Sequence, residues 1–543
     1  MEELVRAKSQ AVRALRVLMA VYMAAIFLVG CGSTPNINSA ATKTAASTPP
    51  ARPASWISDD PISFTMLYAD NPTYPFNKDW PVLQEVTKRT NVTLNCQIVP
   101  QADMDTKIKL VLSSGDAPDI IAFADLGKYT DFALNGSLVP VSDYMDKLPN
   151  YNALIQKWEL ADALRNYKLS DGKIYTLAGA QENPVYTAGL VMRADLLKKY
   201  HMDIPKTFDD LYNYASKLKQ DFPDSVPVTE EYGIDCMLLF AGPSWGLDAG
   251  WGLQNDMTYN RDTKKFEFAY TSDKYKAMLT YWAKLSKEKM LDPELFTQNR
   301  DQWKQKLVTG KSFITWCWSP EVAELNIDLK KNVGSDAEFQ FFLPVGGPAG
   351  RFTAPGGKIA GGTGIQLPAA DTNKPYFDQL LKFLDWFCYS EEGQTLTTWG
   401  VEGQSYNIVD GKKAFSDAVK GDIDNLLMKN YGTENNNFDY GFSTEFSLAR
   451  LPQDIAAVCK QAIDGNMIPS PTPIVKLTSD ESEQVKLLAT PLKDFGDQTQ
   501  AKFILGQLSL DTDWDSFVSQ AKTKGSDKLV DIMNQAWAKQ NGN

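Results

Sequence analysis

Five tryptophans stand where the spacing of apolar residues does not explain them. Ser244–Gly252 reads SWGLDAGWG and puts Trp245 and Trp251 in a glycine-rich loop, and Thr315–Pro320 reads TWCWSP and puts Trp316 and Trp318 on one face of a short strand ending at Pro320. Trp399-Gly400-Val401-Glu402-Gly403, with Tyr406 close behind, sets an indole, a carboxylate and a phenol in one turn-rich phrase. Asp70 and Asp125 follow the first and third strand candidates, at the carboxyl ends that open α/β sheets turn toward ligands. Indole offers a flat apolar face, and carboxylates accept hydrogen bonds from hydroxyls. That mixture suits a sugar, whose ring is apolar on its faces and donor-rich at its rim. A plainer reading stands beside each residue: a tryptophan is as often a packing residue, Glu402 reads also as a surface carboxylate, and the two aspartates read also as turn or helix caps.

Bond-breaking chemistry finds less support. There is no HExxH and no GxxxxGK[ST], and the lone histidine, His201, sits beside a helix end. A glycoside hydrolase needs two carboxylates about 5 to 9.5 Å apart. A pair such as Asp248 and Glu402 can be nominated, but with 67 acidic residues some such pair always can. A secreted hydrolase of polysaccharide is therefore the second reading, and a peptide-binding protein the third. No CxxC is present, and Asp256 and Asp262 have the spacing of a polar turn, so no metal or cofactor is assigned. An adhesive or structural protein would show repeats at periods of about 20 to 50 residues, and none is found. The formal charge of −12 disfavours a nucleic-acid backbone as partner.

One further residue carries chemistry by position. Arg6, Lys8, Arg13 and Arg16 precede the apolar run Val17–Gly30, which stops at Cys31. At 1.5 Å per residue the run is too short to cross roughly 30 Å of hydrocarbon comfortably, and the order of basic and apolar segments is that of a secretory signal. Leu28-Val29-Gly30-Cys31 resembles a bacterial lipobox, which makes the Cys31 thiol a lipid acceptor and residues 1–30 a removable leader. Residues 31–57 are Ser, Thr, Ala and Pro with few large apolar side chains, the composition of a flexible tether. Of the cysteines that remain, Cys96, Cys236, Cys317, Cys388 and Cys459, most read as reduced core residues.

The elements that must position these residues alternate. Ile62–Tyr68, Val92–Val99 and Asp119–Phe123 read as strands, with helices over Trp80–Thr90 and Asp103–Gly115 between them; such βαβ units build a mostly parallel sheet. A second series starts at Thr187–Tyr200, a strand flowing into a helix. Thr207–Phe222 follows as a helix with a Thr cap and two aspartates in its first turn. Ser272–Lys289, Pro375–Ser390, Asp480–Gly506 and Ser526–Gln540 complete the helices, and Gly364–Ala370 is a further strand. About 485 residues after the tether favour two large domains.

In this order the chain resembles the lipid-anchored extracellular solute-binding proteins of bacterial ABC importers, in the branch near the alginate-oligosaccharide and LplA-type lipoprotein binders. The phrases that carry the resemblance are NKDWPVLQEVTKRTNV (Asn77–Val92), LVLSSGDAPDII (Leu110–Ile121), NGSLVPVSDYM (Asn135–Met145) and DGKIYTLAG (Asp171–Gly179). Later come LVMRADLLKKYHMDIPKTFDDLY (Leu190–Tyr212), KEKMLDPELF (Lys287–Phe296) and TWGVEGQSYNIVDGKKAF (Thr398–Phe415). The resemblance implies an α/β fold of two lobes, periplasmic-binding-protein-like, with a hinged cleft between them. It implies crossings near Gly179, Gly361 and Asn430, so that residues 58–180 and 361–430 form one lobe and 181–360 and 431–543 the other. It implies a monomer that holds an oligosaccharide, hands it to a membrane-embedded permease, and stays on the outer face of the cell membrane through its lipid. Some members carry a calcium loop after the helix that here ends at Phe222; KQDFPDSVPVTEEYG lacks its alternating acidic ligands.

Overall fold

The computed structural model describes residues 55–125, 127–433 and 437–541. Cys31, the leader and most of the tether lie outside the described residues. Packing begins by Ser55: Ile57 is buried, and its N–H donates to Thr90 O at 3.0 Å.

Thirteen strands are described: β1 Ile62–Asp70, β2 Val92–Pro100, β3 Ile120–Asp125, β4 Leu177–Gln181, β5 Ala188–Arg193, β6 Met257–Asn260, β7 Lys265–Phe268, β8 Ile314–Trp318, β9 Phe339–Phe341, β10 Ile359–Gln366, β11 Tyr406–Val409, β12 Lys412–Phe415 and β13 Gly441–Phe442. Six of them form one mixed sheet in the order β13-β4-β10-β3-β1-β2, with β1 parallel to β2 and β3, and β10 antiparallel to β3 and β4. β1 shows why its sequence is apolar nearly throughout. Phe64, Met66 and Tyr68 enter a core with Trp80, Phe383 and Phe387, while Leu67 and Ala69 enter another with Ile108, Leu112 and Tyr129. Side chains alternate across a strand, so a sheet covered on both faces needs apolar residues at both parities.

The second sheet has three strands, β8-β5-β9, all antiparallel. Its β5 is buried along its whole length. Leu190 and Met192 pack with the helices Phe208–Asp221 and Asp273–Lys287, and Val191 packs with Trp303, Leu325 and Phe341. The helix Phe208–Asp221 starts on a reciprocal cap: Thr207 Oγ1 accepts from Asp210 N at 3.1 Å and Asp210 Oδ2 from Thr207 N at 3.0 Å. Such a cap contributes about 1 kcal/mol.

Three segments run side by side where the chain passes between the sheets. Gln181 N donates to Lys358 O at 2.8 Å, Glu182 N to Phe442 O at 2.9 Å, and Thr444 N to the Glu182 carboxylate at 2.9 Å. Gly441 and Phe442, which follow the crossing expected near Asn430, still pair with β4 in the first sheet.

One helix and one strand differ from expectation. The apolar segment from Pro375 is a regular helix only over Phe377–Leu384, followed by a wider turn at Asp385–Tyr389. There the Asp385 carboxylate accepts from Asn150 N at 3.0 Å and Tyr151 N at 2.9 Å, at the start of the helix Pro149–Lys157. A buried carboxylate at helix N–H groups answers donors that have no partner within the helix. β10 begins at Ile359 and stops at Gln366, earlier at both ends than the Gly364–Ala370 phrase suggests.

Candidate functional site

The end of β8 is where the second sheet becomes accessible. Trp316 points inward: it is buried and meets Trp282 edge-on at 5.9 Å between ring centroids. Trp318 shares its strand face but is 46% exposed, because the strand ends there and the chain turns into the helix Ser319–Asn332. The turn is held by Ser319 N donating to Thr187 O at 2.8 Å and Trp318 N donating to Glu321 Oε2 at 3.0 Å. Trp318 pairs with Ala188, the first residue of β5 after the chain has left the first sheet. The exposed indole is therefore at the end of the sheet nearest the passages.

Beside it runs a polar seam. The Arg300 guanidinium donates to Glu321 Oε1 at 2.5 Å and to both oxygens of Glu231, at 2.9 and 3.0 Å. Burial raises the Glu231 carboxyl, Arg300 opposes the rise, and the charge of Glu321 adds to it. The preceding Glu230 is wholly buried and accepts from Trp316 N at 3.2 Å; burial pushes its carboxyl up to about 8. Tyr232 follows, 40% exposed, with its ring 5.5 Å from that of Trp251, which is 52% exposed. Partial burial, then the charges of Glu231 and Glu321, raise the Tyr232 hydroxyl above the usual phenol range. Trp251 stands in the turn Gly250–Gly252, where Gly250 has φ +53 and a Cβ would lie 1.9 Å from Asp235 O. Only glycine allows that approach.

Trp251, Tyr232 and Trp318 thus form a strip of exposed rings along the Glu231–Arg300–Glu321 seam, in which the guanidinium is partly exposed and the two carboxylates are buried. Sequence spacing had pointed to Trp251 and Trp318. It had not pointed to Tyr232, Glu231, Arg300 or Glu321; the phrase EEYG before a helix was the only available signal, and Arg300 and Glu321 gave none.

The other expected residues are distributed differently. Trp245 is not in a loop: it closes the helix Ile234–Trp245, is partly buried, and packs on Phe208 at 5.4 Å and Tyr281 at 6.2 Å. Gly246, in the left-handed region, ends that helix. Trp399 is a core residue, 2% exposed, stacked on Phe415 at 4.6 Å with Phe446 edge-on at 5.6 Å. Tyr406 is buried in the same cluster, so the two rings support the β11–β12 hairpin and present no open face; Glu402 is exposed nearby. Asp70 and Asp125 end the neighbouring strands β1 and β3, and both cap turns: Asp70 Oδ1 accepts from Phe76 N at 2.7 Å and Asp125 Oδ1 from Gly127 N at 2.9 Å. Two residues before Asp125, Phe123 holds φ +55 within β3, a backbone state that costs a β-strand residue about 1 to 3 kcal/mol.

Among the described residues no group of three or more His, Cys, Asp or Glu side chains could hold a metal ion, and the five cysteines form no disulfide. In the loop after the helix Phe208–Asp221, the Lys219 ammonium donates to Pro223 O and Ser225 O, both at 2.7 Å. No helix among the described residues is long and apolar enough to cross a membrane.

The model of a family described as bacterial extracellular solute-binding protein matches residues 82–411. The chain is 25% identical over 399 residues to lipoprotein LipO of Bacillus subtilis, a match covering 72% of this chain and 74% of that protein. It is 26% identical over 293 residues, half of each chain, to the fructooligosaccharide ABC transporter substrate-binding protein FusA of Streptococcus pneumoniae. The structure of FusA in complex with kestose superimposes with a TM-score of 0.58 at 19% identity, covering 89% of this chain and all of that one. The alginate-binding protein AlgQ2, in a structure without calcium ion, superimposes with a TM-score of 0.61 at 21% identity, covering 89% and 99%.

Proposed function

This chain belongs to the bacterial extracellular solute-binding proteins, binding proteins and not enzymes, and from that membership we propose that it captures an oligosaccharide for a membrane-embedded ABC importer. The observation that carries the sugar reading is the strip at the end of β8: the rings of Trp318, Tyr232 and Trp251 are exposed beside a seam in which Arg300 is partly exposed and Glu231 and Glu321 are buried. Exposed rings stack on sugar faces, and a guanidinium fixed by two buried carboxylates donates to hydroxyls in a geometry already prepared. The printed ligands of the relatives support the same class, since FusA is named for fructooligosaccharides and AlgQ2 for alginate.

In this reading the three adjacent passages at residues 181–183, 357–359 and 442–444 are the hinge. Asp70, Asp125 and the strained Phe123 belong to the opposing edge of the cleft. A ligand touching both sides shifts the open–closed equilibrium by its differential affinity for the two states. Cys31 is the lipid attachment point that keeps the protein on the outer face of the membrane. A thermal-shift screen of the chain lacking residues 1–31 against oligosaccharides and peptides tests the reading: an oligosaccharide should raise the melting temperature in proportion to the logarithm of its concentration above Kd. Stabilisation by peptides alone would replace it.

A further inference from the structure

Five of the seven arginines among the described residues pair with a carboxylate. The two that do not are Arg261, which is exposed, and Arg351, which is half-buried. Arg351 Nε donates to Pro344 O at 2.5 Å, and its two terminal nitrogens donate to nothing among the described residues. Burial lowers this guanidinium below its ordinary value, and the group that opposes the fall is the Tyr186 phenol, not an acid. With 67 acidic residues against 55 Lys and Arg, acids to pair with it are not scarce in this chain. Cations taken out of water are ordinarily paired.

The fold sets Arg351 at the same sheet end as Trp318. Trp318 pairs with Ala188 and Phe341 with Val191. Phe342 N donates to Leu190 O at 2.8 Å, so the β5–β9 register runs on past β9 and carries Pro344 toward Ala188. Trp318, Ala188 and Pro344 thus stand in a row across the end of the sheet nearest the passages, about 10 Å from first to last at two strand spacings. Pro344 O holds Arg351 at one end of that row, with Tyr186, from the segment that leads into β5, beside it.

Resting on the reading of this sheet end as the glycan site, we propose that Arg351 binds a carboxylate carried by the ligand, so that the chain takes uronate-containing oligosaccharides in preference to neutral ones. A guanidinium meets a carboxylate in a planar fork of two parallel N–H···O bonds, and the terminal nitrogens of Arg351 have the donors for it. Half-burial leaves that attraction weakly screened, and a local cation selects anions whatever the mean charge of the chain. Arg300 has another part. Glu231 and Glu321 meet its charge and Glu324 lies 3.5 Å from its second terminal nitrogen, so it supplies donors to hydroxyls without a net positive field. A uronate chain with one ring on Trp318 brings the carboxylate of a following ring to Arg351.

The test is calorimetric titration of the chain lacking residues 1–31 with tetragalacturonic acid, tetramannuronic acid, maltotetraose, nystose and tetraalanine. At least one uronate is expected to bind about tenfold or more tightly than either neutral sugar, with an affinity that falls between about 0.1 M and about 1 M salt. That advantage should vanish in Arg351→Gln and be reduced in Arg351→Lys, which keeps the charge but loses the fork. Arg351 also holds Pro344 O, so both variants are melted to confirm folding, and the preference and salt dependence of the parent stand without them. A neutral sugar binding as tightly as both uronates, or a uronate preference unchanged in folded Arg351→Gln, overturns the proposal and leaves glycan binding intact. Binding of no sugar, or of tetraalanine alone, overturns the glycan reading and this inference with it.

Discussion

Tyr232 and Trp251 lie 5.5 Å apart between ring centroids, both partly exposed, although nineteen positions and a helix separate them in the chain. Trp399 has a closer ring neighbour, Phe415 at 4.6 Å, yet is buried. The same residue type thus has two physical roles here, and they are separable by experiment.

Trp399→Ala and Trp316→Ala remove buried rings, and each should cost about 3 to 5 kcal/mol of stability. Chemical denaturation followed by circular dichroism measures this. A loss below about 1 kcal/mol for Trp399→Ala would mean that its cluster with Phe415 and Phe446 is not a core.

Glu230 makes stability depend on pH. Its carboxyl is raised by burial to about 8, so the folded state holds a proton that the unfolded chain releases near the ordinary value of 4.5. The protonated form's contribution is complete below the unfolded value and is lost as pH rises toward about 8. Glu230→Gln should therefore gain stability relative to the parent between about pH 5 and about pH 9. Parallel melting curves of parent and variant across that range would refute this if their difference stayed constant.

Lys219 satisfies two loop carbonyls with its own ammonium. Lys219→Met should lower stability by about 1 kcal/mol, the ordinary worth of a hydrogen bond. Adding EDTA to the parent should leave its melting temperature where it was. A fall with EDTA, restored by calcium, would show that a metal ion and not the lysine organises this protein.

Cys31→Ala should leave an unprocessed precursor without lipid. Metabolic labelling with palmitate reads this directly, and label equal to the parent's would move the attachment site elsewhere.

Much of the fold was legible because its elements obey local rules. The strand Ile62–Asp70 and the helices Pro81–Thr90, Phe208–Asp221 and Ser526–Gln540 have bounds within two residues of the periodic reading, and Thr207 caps as its type suggests. Pairing between distant segments was not legible: Gly441–Phe442 is two residues long and is a strand only because β4 is beside it. The same limit governs the site. Trp318 and Trp251 stood out by type and by their glycine and proline neighbours, while Arg300 and Glu321 acquire meaning only when the fold brings them to Glu231. Trp399 misled because a tryptophan beside glycines looks like a presented ring, and its partners Phe415 and Phe446 come from later segments.

The central claim is that the exposed rings at the end of β8 hold the sugar. It is tested most directly by calorimetric titration of the parent, Trp318→Ala and Trp251→Ala with the best oligosaccharide from the screen, each variant melted in parallel. The account predicts that Trp318→Ala weakens binding by about 2 kcal/mol, roughly thirtyfold, with a melting temperature close to the parent's. Parental affinity in both folded variants would contradict it.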